Sequence, residues 1–170
     1  MVTAAHDGTL LDRRRVQLVD EGVPVMPYHH DALQLPVEQG VALVERVRVS
    51  AERNAARVLD EVAKAVREVR GIALRACPEL PPTIAERLKD YRAQNVADWV
   101  MYRKALAGAA EARSWRVHWY DTRKVLGAAS EALGVESLDA HFREVRKAAG
   151  PPWATDHKLA MAASIVAAAR

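Results

Sequence analysis

The chain has 170 residues, enough for one domain with a buried core. Half of them are apolar but only 5% are aromatic, so the apolar mass is mostly Ala, Val and Leu, which suits helices packed on a small sheet. A formal charge of +3 and an isoelectric point near 9.2 permit contact with a polyanion without demanding it, while a single cysteine, Cys77, excludes an internal disulfide and a cysteine-based metal site. No apolar window approaches the roughly 20 residues that span a bilayer, so a soluble, cytoplasmic protein without a membrane partner is expected.

In chain order, the apolar start to Ala5 is followed by His6-Asp7-Gly8-Thr9, whose Asp-Gly pair suits a two-residue hairpin turn. The outgoing strand is expected over 10–19, with Val16 and Leu18 on one side and Arg13, Arg15 and Gln17 on the other. A helix over 11–20 is the alternative, and the turn signal favours the strand. Prolines 24, 27 and 36 make 22–36 a loop, with Tyr28-His29-His30-Asp31 at its tip. Val37, Val41, Val44, Val47, Ala51, Ala55, Val58, Val62, Val66 and Val69 then form one stripe at spacings of three and four, the mark of a long amphipathic helix.

A short strand is expected over 72–76, and three prolines after it force a loop. Thr83-Ile84-Ala85-Glu86 has the spacing of a capping box, and Asn95-Val96-Ala97-Asp98 offers a second start, which predicts helices over 84–92 and 96–113. A strand over 116–120 follows. Thr122 is expected to cap a helix that Gly134 ends, Ser137 another that Gly150-Pro151-Pro152 stops, and Thr155 opens the last. From Gly71 to Asp121 the order is thus strand, helix, strand, which is economical as a parallel crossover with Asp121 at the carboxyl edge of the sheet, where ligands bind in open α/β sheets.

The order hairpin, helix, strand, helix, strand, helices resembles the RNase H-like superfamily. Two segments carry the likeness to a bacterial branch of it: Thr9 to Asp20 with Pro27-Tyr28-His29, and the closing Gly150-Pro151-Pro152-Trp153-Ala154-Thr155-Asp156-His157-Lys158-Leu159-Ala160. The closing segment is also similar to the acid-bearing last helix of RuvC-like resolvases. The resemblance implies one RNase H-like α/β domain over 1–170, with an N-terminal hairpin, alternating helices and parallel strands, and a helical C-terminus.

Nucleases of this type hold two divalent metals about 4 Å apart between carboxylates. The chain departs from that pattern. It begins as if at the second strand, so the first-strand Asp is absent, and Arg75-Ala76-Cys77-Pro78 stands where another acid is expected, with Glu79 nearest. Only Asp156 falls where the family has an acid. Asp98 and Asp121 are the candidates to complete a catalytic set, with Asp121 and Asp156 as metal ligands and Mg²⁺ or Mn²⁺ as the metal if nuclease activity is retained. Each has a plainer role available, since an acid in a first helical turn is favoured by the helix dipole whatever the function. Arg13, Arg14, Arg15, Arg75 and Lys158 are the candidate phosphate contacts for DNA or RNA.

His29 and His30 form the densest ligand-capable cluster, but zinc wants three or four ligands, and the others would have to come from His118, His141 or His157. No Gly-rich phosphate loop or Gly-x-Ser-x-Gly elbow is present. Two functions therefore stand side by side: a nucleic-acid-binding domain with weak or lost metal-dependent nuclease activity, and a non-catalytic interaction module that forms a homodimer through an exposed sheet edge.

Overall fold

A computed structural model of the chain describes residues 1–169. It is mixed α/β and mostly helical, with six α-helices and two two-stranded sheets among those residues. Contacts divide the chain into two compact units interleaved in sequence. Unit 1 holds 1–16, 62–76 and 114–170, and unit 2 holds 17–61 and 77–113.

In unit 1, β1 (Val2–Ala4) pairs antiparallel with β2 (Leu10–Arg13). The expected hairpin is present, with a wider turn than Asp-Gly alone would give, because the register shifts between Thr3 and Ala4. The turn is closed by the Asp7 carboxylate, which accepts from the Thr9 amide at 2.9 Å, and by Gly8 at φ +82°. The outgoing strand stops at Arg13 rather than Val19. A strand extends only as far as its partner, and β1 ends the pairing with Val2 opposite Arg13 and the Arg14 amide donating to the Met1 carbonyl.

β3 (Gly71–Arg75) and β4 (Arg116–Tyr120) are parallel and in register from Gly71 opposite Arg116 to Arg75 opposite Tyr120. The strand–helix–strand expectation thus holds, and Asp121 directly follows the carboxyl end of β4. The hairpin and this pair are separate two-stranded sheets, one antiparallel and one parallel. Both lie against α6 (Thr155–Ala168), which touches β1, β3 and α4 (Val125–Leu133). Met161, Ala162, Ala163 and Ile165 of α6 are fully buried with Ala129 of α4 and with Phe142 and Val145 of α5 (Asp139–Ala149). Small residues on α6 let those backbones approach closely. α4 is not capped by Thr122. The Asp121 carbonyl accepts from the amides of Lys124 and Val125, and Gly134 ends the helix at φ +66° as its position predicts.

Unit 2 is built on α1 (Val37–Ala65), α2 (Ile84–Lys89) and α3 (Tyr91–Glu111); α1 continues into unit 1 from Val62. The valine and alanine stripe is the buried face: Val44, Val47, Ala51, Ala55 and Val58 are 0–2% exposed. The Thr83–Glu86 capping box forms with both bonds. The break before α3 falls at Asp90, not at Asn95. The Asp90 carboxylate accepts from the Arg92 and Ala93 amides, while Asn95 is already helical and donates to the Tyr91 carbonyl. Asn-Val-Ala-Asp imitates a helix start, and Asp90 escaped notice because no apolar repeat follows it directly. The 17–36 loop lies on these helices, with Val19, Tyr28 and Ala32 buried beside Val44, Val47, Ala97 and Met101.

Candidate functional site

Asp98 lies in the middle of α3 and is 1% exposed. It is therefore not the helix-start acid that its sequence suggests. One carboxylate oxygen accepts from the Tyr28 amide and the other from the His29 amide, each at 3.1 Å. Burial pushes the Asp98 carboxyl up to about 6, against the opposing pull of those two amides and of the nearby His29 and His30. The two imidazoles meet edge to face, 4.5 Å between centroids. Around them the loop is tied down. The Tyr28 hydroxyl accepts from Arg87, the Tyr102 hydroxyl donates to the Val25 carbonyl at 2.5 Å, and Asp20 accepts from Ser50, Arg53 and Asn54. Asp98 thus holds the His-His loop from beneath. No local motif links residues 70 positions apart, although one signal was legible: Asp98 interrupts the buried arc of Ala93, Ala97 and Met101, and a carboxylate in an apolar stripe needs a partner.

The other two acids lie in unit 1 and face outward. Asp121 is exposed, and its Oδ1 accepts from the Arg123 amide at 2.8 Å in the turn before α4. Asp156 is exposed in the first turn of α6. Among the described residues, no three His, Cys, Asp or Glu side chains are grouped so as to hold a metal ion.

The candidate phosphate contacts divide sharply. The Arg13 guanidinium is turned inward and donates to the carbonyls of Ala149, Gly150 and Pro152 at 2.9, 3.0 and 2.7 Å. Arg14 pairs with Asp12 at 2.6 Å. Arg15 and Arg75 are exposed. Lys158 sits with its ammonium 5.8 Å from the Phe142 ring centroid, in a cleft also lined by Arg143, Arg146 and Trp153, which sequence reasoning passed over.

Also missed is the outer face of α3. Tyr91 is 77% exposed and Trp99 52%. At about 100° and 1.5 Å per residue the two rings are about 12 Å apart along the axis, and Tyr91, Arg92, Asn95, Trp99 and Arg103 share an arc of about 120°. That arc carries no carboxylate. Neither Arg92 nor Arg103 has a side-chain hydrogen bond or ion pair among the described residues. The signal was available, since Tyr, Asn and Trp at 91, 95 and 99 repeat every four residues.

No helix among the described residues is long and apolar enough to cross a membrane. Neither family models nor characterised proteins nor solved structures give a significant match to the chain.

Proposed function

We propose that the chain is a nucleic-acid-binding α/β domain that receives unpaired bases on the outer face of α3. The observation that carries this reading is the pair of exposed rings, Tyr91 and Trp99, set among arginines without ionic partners. Large exposed aromatics are costly to leave bare, and their π-faces stack on any base, while guanidinium groups meet the phosphates between. The reading agrees with the RNase H-like resemblance. Cleavage takes second place to binding, because both oxygens of Asp98 are engaged by backbone amides; any residual Mg²⁺- or Mn²⁺-dependent activity would fall to the exposed Asp121 and Asp156. Fluorescence anisotropy of a labelled oligothymidine tests the assignment: Tyr91→Ala and Trp99→Ala should each weaken binding by about 1–3 kcal/mol. A double variant that binds like wild type would remove α3 from the interface.

A second reading, dimerisation through a sheet edge, is favoured by unit 1. Each of its sheets has only two strands, and Trp119 on β4 is 41% exposed. Sedimentation over a range of concentrations decides it. A self-association abolished by Trp119→Lys supports the dimer, and a monomer at every concentration opposes it.

A further inference from the structure

The cleft between α5 and the start of α6 is a distinct piece of chemistry within unit 1. Its lining is Asp139, Phe142, Arg143, Arg146, Trp153 and Lys158, so three cations face one carboxylate. Cations crowded on a surface are usually relieved by acids, but neither Arg143 nor Arg146 has a side-chain hydrogen bond or ion pair among the described residues. The nearest acid in sequence, Glu144, is taken by Lys147 at 2.7 Å. Lys158 rests against the Phe142 ring, a contact that positions the ammonium while leaving its N–H donors unspent.

The walls are fixed in advance. Arg13 reaches from β2 and holds the carbonyls of Ala149, Gly150 and Pro152, which sets the course of the chain into Trp153. The Trp153 indole stacks on His157, 5.7 Å between centroids, and His157 Nδ1 accepts from the Ala154 amide at 3.1 Å. A ligand entering here need not order the loop, so less of its binding energy is lost to immobilising the protein.

We propose that this cleft binds the terminal phosphoryl group of a phosphate monoester. The cleft encloses about 160 Å³, below the roughly 300–1,000 Å³ of pockets that engulf a whole small molecule. It therefore suits an oxyanion head with the remainder of the ligand outside. Planar guanidinium forks match phosphate oxygens in pairs, and a lysine adds a mobile point charge. Asp139 is an acceptor on the same rim, so an ester with a sugar hydroxyl offers it a donor set away from the phosphorus, which the P–OH of inorganic phosphate cannot reach while its other oxygens face the cations. The site does not depend on the α3 interface. Two sources share this chemistry: the 5′-phosphate of a nucleic acid and a free phosphate ester.

The test is a titration of the full chain, followed by the indole N–H resonance of Trp153, with inorganic phosphate, thymidine 5′-monophosphate, and one oligonucleotide with and without its 5′-phosphate. Thymidine monophosphate should shift the resonance saturably, more tightly than inorganic phosphate. The Arg143→Gln/Arg146→Gln double variant, altered only at exposed positions, should bind at least tenfold more weakly. Preference for the 5′-phosphorylated oligonucleotide identifies a nucleic-acid end as the source, and equal affinity of the two oligonucleotides identifies a free ester; both outcomes uphold the site. A response that does not saturate, or that persists unchanged in the double variant, overturns it. Failure of oligonucleotide binding in Tyr91→Ala and Trp99→Ala, with the monophosphate response intact, concerns α3 alone.

Discussion

Asp98 shows how a residue's fate depends on what packs over it. Its folded carboxyl titrates near 6, above the ordinary 3.8, so between those values the folded chain holds a proton that the unfolded chain has released. Stability from this group is therefore greatest at low pH, falls as pH rises through about 4 to 6, and is level above. Asp98→Asn removes the ionisation. The stability of wild type relative to the variant should drop by on the order of 2 kcal/mol between pH 4 and pH 7, as urea denaturation at each pH would show. Parallel pH profiles would mean that Asp98 is not buried as described. Arg13 makes the complementary point: an arginine in a basic run reads as a phosphate contact, but the fold spends its guanidinium on carbonyls more than 130 residues away in sequence. Lysine keeps the charge but lacks the planar fork, so Arg13→Lys should cost about 1–2 kcal/mol in denaturant melts. No loss at all would return Arg13 to the surface.

Elements were legible where the signal was local. The α1 stripe, the Thr83 capping box, the Gly134 stop and the Thr155 start could all be read from residues a few positions apart, because helical periodicity and caps are short-range physics. What failed were ends set by a distant partner. β2 stops because β1 is short, and α3 starts at Asp90 because α2 ends there. Asp90→Ala should lower stability by about 1 kcal/mol, the usual cost of a lost N-cap, whereas Asn95→Ala should cost less, since Asn95 caps nothing. The reverse order would restore the start at 95. Gly71 is a sharper case. A Cβ there would lie 2.6 Å from the Arg116 carbonyl oxygen, so Gly71→Ala must push β3 from β4 and should cost about 1–3 kcal/mol, the range for overpacking. An unchanged melting temperature would contradict the register.

At the scale of the whole molecule, sequence order conveyed the mixed α/β class and the parallel β3–β4 pair but not the two interleaved units, because four chain passages between them leave no linker composition to read. The candidate site was the least legible part. Asp156 was chosen for where an acid stands in RNase H-like proteins and Asp98 and Asp121 to complete a set around it, and the exposed rings of α3 were overlooked because an aromatic in a helix is usually core. The net charge is only +3, so affinity for a polyanion must come from local clusters of unpaired cations.

The most direct test of nucleic-acid binding is the salt dependence of the association constant for oligothymidine. Phosphate contacts release counterions, with a slope of log K on log salt of about −0.7 per contact for a single strand. Arg92 and Arg103 predict a slope of at least about −1.4 in the wild type, shallower by about 0.7 in Arg92→Gln, with residual high-salt affinity that disappears in Trp99→Ala. Binding that is undetectable at low salt, or that is insensitive to salt, would contradict the account.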